Sequence, residues 1–251
     1  MAASAFRPAL VVVDVQEDFC PPSGALAVPD GRAVVPVANA LLALPRFVLR
    51  VATKDWHPPN HISFAANHRR PENNAPKQPF VDTATVVNPR NPDEAPYETR
   101  LWPVHCVQGT PGAALVAALD PEYRIDIVVE KGTDPAVEMY SAFYDPFTNP
   151  RISDSGLADL LRHPPAAKRD HAPDAATSGP ITHVFVVGLA ADYCVRSTAL
   201  DALKEGFVTY IVEDGTRAVD PVAWPAQRDA LRAAGVGVVG LDGPEVARLR
   251  G

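Results

Sequence analysis

The run from Ala9 to Val15 is the feature that most constrains the fold. Apart from Asp14 it is wholly apolar and mostly β-branched. A strand of that kind has no polar face to offer water, so it must be covered on both sides. Further short apolar runs follow at 47–53, 125–129, 183–187, 208–212 and 236–239. Between them, helical patterns are predicted at 33–44, 113–119, 156–162, 194–204 and 225–234. Strands that alternate with helices need crossover connections and pair mostly in parallel. The expectation is an α/β fold: one domain over residues 1–251, a three-layer α/β/α sandwich with a mostly parallel sheet of about six strands. Two stretches break the rhythm. Residues 58–111 read as a long loop rich in Pro, Asn and charge, and residues 163–180 as a surface insertion.

Composition narrows the function. The formal net charge of −7 argues against a nucleic-acid partner, which usually needs a basic face. No apolar run approaches the roughly 20 residues of a membrane helix. Met1 to Pro8 lacks the pattern of a secretory signal, and Leu249-Arg250-Gly251 is no peroxisomal or retention tripeptide. Three cysteines (Cys20, Cys106 and Cys194) are an odd, sparse set, which suits free thiols in a reducing compartment. The expected location is cytoplasmic, with nucleus and peroxisome left open, and a homo-oligomer is left open too.

Ligands of open α/β sheets bind beyond the carboxyl ends of the strands. The first predicted strand ends in Asp14, the second in Lys54-Asp55-Trp56-His57, the third in Glu130-Lys131-Gly132, and the fourth runs through Gly188-Leu189-Ala190-Ala191-Asp192-Tyr193-Cys194. Cys194 would open a helix, where the unpaired N–H groups lower a thiol pKa. Asp14, costly to desolvate, suits a general base. Lys131 could hold Asp14 ionised and stabilise a thiolate. Each has a plainer alternative: a packed core cysteine, a turn aspartate, a solvated strand-end lysine.

Asp55 and His57, two apart on a strand end, point the same way and could share a metal ion. His105 could close that site from the long loop, with His61 a further candidate. Mixed nitrogen and oxygen ligands favour zinc, with iron or manganese as alternatives. His68 reads as a solvated loop residue. Phe19, Trp102, Tyr140 and Phe143 could wall a pocket, although core packing is the better reading for at least one. The backbone N–H groups near Ala190 and Cys194 could form an oxyanion hole.

Taken in order, Val13 to Phe19, Asp55-Trp56-His57-Pro58 with Asn60 to Phe64, Trp102 to Cys106, Glu130-Lys131-Gly132, Tyr140 to Phe143 and Gly188 to Val195 resemble the nicotinamidases, among the isochorismatase-like cysteine hydrolases. The long loops resemble the fungal type. The resemblance implies a triad of Asp14, Lys131 and Cys194, and a divalent metal on Asp55, His57 and His105. It implies a cis peptide between Leu189 and Ala190, with the Ala190 and Cys194 N–H groups on the oxyanion. It implies a pyridine ring between Phe19 and Trp102 in a pocket that Tyr140, Leu189 and Tyr193 complete, with Gln16 supporting from behind. Tyr193 stands where some relatives have His. The implied reaction is hydrolysis of nicotinamide to nicotinate and ammonia through a cysteine thioester, in NAD salvage. The alternatives are a cysteine amidohydrolase for another small amide (pyrazinamide-like, carbamoyl or ureido), an isochorismatase, and a catalytically silent binding homologue.

Overall fold

A computed structural model describes residues 5–120, 122–165 and 179–250. Most of the 163–180 stretch therefore lies outside the described residues. Six strands form one sheet: β1 (Pro8–Val13), β2 (Leu49–Asp55), β5 (Ile127–Lys131), β6 (His183–Leu189), β7 (Val208–Arg217) and β8 (Gly237–Val239). Their order is β5-β2-β1-β6-β7-β8, and every neighbouring pair is parallel. The helices are α1 (Val34–Leu42), α2 (Leu157–Arg162), α3 (Arg196–Lys204), α4 (Trp224–Ala234) and α5 (Pro244–Ala247).

Alternation along β1 sorts the core into two layers. Leu10 and Val12 face a cluster that contains Val34, Leu41 and Leu42 of α1 and Val246 of α5. Ala9, Val11 and Val13 face another, with Leu157 and Leu161 of α2, Ala199 of α3 and Leu231 of α4. All six β1 residues are buried, which is why that strand carries no polar side chain. The three-layer expectation holds.

Two local expectations do not. Residues 113–119 form no helix: a 3-10 turn ends at Ala113 and irregular chain follows. Gln16 forms a bridge with Leu115, and Val116 donates to the Val15 carbonyl, so the segment is held against the loop after β1 instead. The 58–111 stretch also contains a two-stranded antiparallel sheet, β3 (Thr83–Val86) with β4 (Tyr97–Arg100). Each strand has only four residues, too few for a clear period.

The order of the sheet puts the site between its central strands. Connections run one way from β1 to β2 and the other way on from β6, so their carboxyl ends open a crevice. Gly188 permits the close packing there: a Cβ on it would meet the Val13 carbonyl oxygen at 2.0 Å.

Candidate active site

β1, β2, β5 and β6 deliver the reactive groups. In the register of β2 on β5, Asp55 lies opposite Lys131. The fully buried Lys131 ammonium sits 2.5 Å from Asp55 Oδ1, 3.0 Å from Asp14 Oδ2 and 3.5 Å from Cys194 Sγ, and it donates to the Met139 carbonyl at 3.2 Å. Thr53 donates its hydroxyl to Asp14 Oδ1 at 2.6 Å, and Asp14 takes a positive φ of 49° as the chain leaves β1. Ligand atoms of Asp14, Asp55 and Cys194 lie within 4.8 Å of one another. They enclose a cation already present, the Lys131 ammonium.

Burial pushes the Asp14 carboxyl up to about 6, with Lys131 opposing and Asp55 adding to the rise. Burial also pushes the Cys194 thiol well above its ordinary value, and Lys131 only partly offsets this. The expectation of a thiol lowered by a helix N-terminus is therefore not met. Cys194 lies inside a π turn, Ala191–Val195, which precedes α3 and in which both Tyr193 and Val195 donate to the Ala190 carbonyl. The Leu189–Ala190 peptide is cis.

The second group is Asp55, His57 and His105, whose ligand atoms also fall within 4.8 Å of one another and are buried. The long loop is laced to the end of β2 to achieve this: His57 N–H donates to the Cys106 carbonyl, and Gln108 N–H to the His57 carbonyl. His57 Nδ1 is bonded to the Gly132 carbonyl at 2.8 Å and His105 Nδ1 to the Pro103 carbonyl at 2.7 Å, which leaves each Nε2 as the available ligand atom. Gly132 is required beneath His57, since a Cβ there would meet the ring at 2.5 Å. Although burial alone would raise Asp55, Lys131 and His57 together hold its carboxyl well below the usual range. Burial lowers His105 to about 4, so its ring is neutral. His61 stacks on His57 at 4.0 Å between centroids and keeps a buried Nε2 without a hydrogen-bond partner, but it is outside the three-residue cluster. Gln16 grips Asp55 from behind, donating to its carbonyl and accepting from its N–H, both at 2.8 Å.

Asp55, His57, His105 and Cys194 open into one cavity, walled by Phe19, Trp102, Tyr140, Tyr193 and Ala190, with Asp14 and Lys131 buried behind them. Tyr140 Oη accepts from Trp102 Nε1 at 3.0 Å and pairs with the Thr99 hydroxyl of β4 at 3.1 Å, so the small sheet braces the aromatic wall. Leu189 and Phe143 are not on the wall; both are fully buried in core clusters. His68 is half-buried, with Nε2 on the Ile62 carbonyl. Four lining residues were not anticipated: Leu26, Val28, Val219 and Glu138. Only Glu138 carried a signal, an acid between the apolar Val137 and Met139. It is buried, and burial pushes its carboxyl up to about 7.

The chain matches the Isochorismatase domain family over residues 8–242. It belongs to the isochorismatase family. The nicotinamidase of Escherichia coli strain K12 is 39% identical over 84% of this chain and 84% of its own length. The structure of the yeast nicotinamidase bound to the inhibitor nicotinaldehyde superposes with a TM-score of 0.77 at 32% identity, covering 93% of this chain and 99% of that one. The pyrazinamidase of Pyrococcus horikoshii in complex with zinc gives a TM-score of 0.62 at 32% identity, covering 93% and 99%. A bacterial and a yeast protein thus match comparably, and the fungal type is not singled out.

Proposed function

We propose that this isochorismatase-family chain is a nicotinamidase, hydrolysing nicotinamide to nicotinate and ammonia in NAD salvage. One observation carries the reading: a single buried ammonium, on Lys131, touches Asp14, Asp55 and the Cys194 sulfur, and Asp55 and Cys194 line an aromatic cavity. The nicotinamidase relatives of similar length support the choice of substrate.

Cys194 rests as a thiol, because burial disfavours its anion. The thiolate therefore forms during attack: Asp14 takes the proton while Lys131 stabilises the negative charge that passes between them. The sulfur adds to the carboxamide carbon, and the Ala190 and Cys194 N–H groups receive the oxyanion. Asp14 returns the proton to the departing ammonia, leaving a thioester. Water deprotonated by Asp14 then adds to the thioester carbonyl, and collapse releases nicotinate and regenerates the thiol.

Asp55, His57 and His105 fit a divalent metal, zinc first, with iron and manganese as alternatives: one anionic oxygen and two imidazoles whose Nδ1 atoms are already engaged. Such an ion would supply a Lewis acid for the pyridine nitrogen. Phe19 and Trp102 would flank the ring. The zinc complex of the Pyrococcus horikoshii relative supports this assignment. Ammonia release from nicotinamide by the purified protein tests the function. Rapid release is expected; inertness on nicotinamide with turnover of a carbamoyl or ureido compound would move the assignment to another amidase.

A further inference from the structure

Of the three residues read as metal ligands, Asp55 ends β2 and His57 lies two residues beyond it, whereas His105 comes from the long loop and has to be brought to them. The bond of its own ring, from Nδ1 to the Pro103 carbonyl, stays within that loop and supplies no anchor to the rest of the fold. The anchor lies one residue further on. Cys106 takes a positive φ of 47°, a conformation that L side chains rarely adopt, and its backbone is fixed on both sides. Its carbonyl accepts the His57 N–H at 3.0 Å. Its N–H donates to Asp18 Oδ2 at 2.7 Å, a bond to a carboxylate and so of the stronger kind.

Asp18 is itself well held. It belongs to the 3-10 turn Glu17–Phe19, and its carbonyl accepts the Leu26 N–H at 2.9 Å. The next carbonyl, of Phe19, accepts the Val28 N–H at 3.0 Å. Phe19, Leu26 and Val28 all line the cavity, and the Phe19 ring lies 5.5 Å from the His105 ring. The carboxylate is pressed against Gly112, where an added Cβ would meet its oxygens at 2.1 and 2.3 Å. One side chain therefore ties the loop that carries His105 to the turn that carries Phe19.

We propose that Asp18 is a positioning residue, which by accepting the Cys106 N–H sets the preceding His105 imidazole in place for the metal. This rests on the reading of Asp55, His57 and His105 as metal ligands. Asp18 lies outside that cluster and outside the cavity wall, so it acts only through the backbone it holds. Outer partners that orient metal ligands are typically worth about 10- to 100-fold in metal affinity.

The test is zinc titration of the metal-free protein against a chromophoric chelator, for the wild type, Asp18→Ala, Asp18→Asn and Gly112→Ala, each well below its melting temperature. Zinc Kd should rise about 10- to 100-fold in Asp18→Ala. Gly112→Ala should raise it comparably with the carboxylate still in the chain, because the added methyl takes the place of the carboxylate oxygens. Gly112 has no positive φ that would itself forbid alanine. Asp18→Asn keeps an acceptor oxygen without the charge, and should fall between the wild type and Asp18→Ala. A residue that only stabilised the fold would lower the melting temperature and leave the zinc Kd of the folded chain unchanged. An unchanged Kd in Asp18→Ala and Gly112→Ala therefore overturns the proposal. So does a Gly112→Ala variant that binds like the wild type while Asp18→Asn binds as weakly as Asp18→Ala, since charge and not the held N–H would then be the cause. Should Asp18→Ala fail to fold, Gly112→Ala and Asp18→Asn decide by the same criteria. A wild type that binds no zinc would sink the metal reading and this inference with it, whereas variants that match a zinc-binding wild type sink this inference alone.

Discussion

The two sides of the cavity are built differently. On the sheet side, Asp14, Lys131 and Asp55 stand at or just beyond the ends of paired parallel strands, and Cys194 follows β6 in a short turn. On the loop side, His105, Trp102 and Tyr140 come from irregular chain held by backbone bonds to β2 and by the hydroxyl of Thr99. Strand ends fix atoms that must meet within hydrogen-bond distance. Laced loops shape the space in front of them. The reacting groups should therefore control turnover, and the loop groups should control which ligand is held and how tightly.

The largest expected effect lies on the sheet side. Cys194→Ala should lower kcat by about 10⁴-fold or more while leaving the melting temperature unchanged. Next, Lys131→Met should lower kcat by about 10³-fold and also destabilise the fold by about 3 kcal/mol, because it strands Asp14 and Asp55 without their cation. Urea denaturation reads the second part. His57→Ala sharpens the contrast: metal content by atomic emission should be lost and kcat/KM should fall about 10²-fold, chiefly through KM. A collapse of kcat alone would erase the division between the two sides.

Smaller effects follow. Burial sets the Asp14 carboxyl at about 6, and the mechanism needs it ionised. Below that pH it is protonated and refuses the thiol proton, so kcat/KM should fall about tenfold per pH unit on the acid side. Activity that stays flat down to pH 4 would remove Asp14 from the role. Last, Thr99→Val breaks the brace behind Tyr140. It should raise KM about threefold to tenfold with little change in kcat, the scale of one neutral hydrogen bond.

The same division explains what the sequence made legible. Strands β1 and β6 announced themselves because a strand covered on both faces can hold almost nothing but apolar residues. Whatever polar group then follows such a run stands out, as Asp14 and Cys194 did. The loop side was less legible: His105 stood out only as a candidate beside His61, since it lies 48 positions from His57 and no local period connects them. Glu138 escaped although Val137 and Met139 flank it, because one acid between two apolar residues is too short a pattern to mark burial before the fold covers it. The β3–β4 hairpin and the irregular course of 113–119 escaped for a related reason: their conformations are set by distant partners rather than by their own residues. The rise in the Cys194 pKa was missed because helix-end logic ignores how deeply the sulfur is enclosed.

The measurement that goes straight to the centre is mass spectrometry of protein quenched in acid during steady-state turnover of nicotinamide. The account predicts a nicotinoyl group on the peptide that carries Cys194, absent when Cys194 is replaced by alanine. Undiminished ammonia release by the alanine variant, or an acyl group found on another residue, would contradict it.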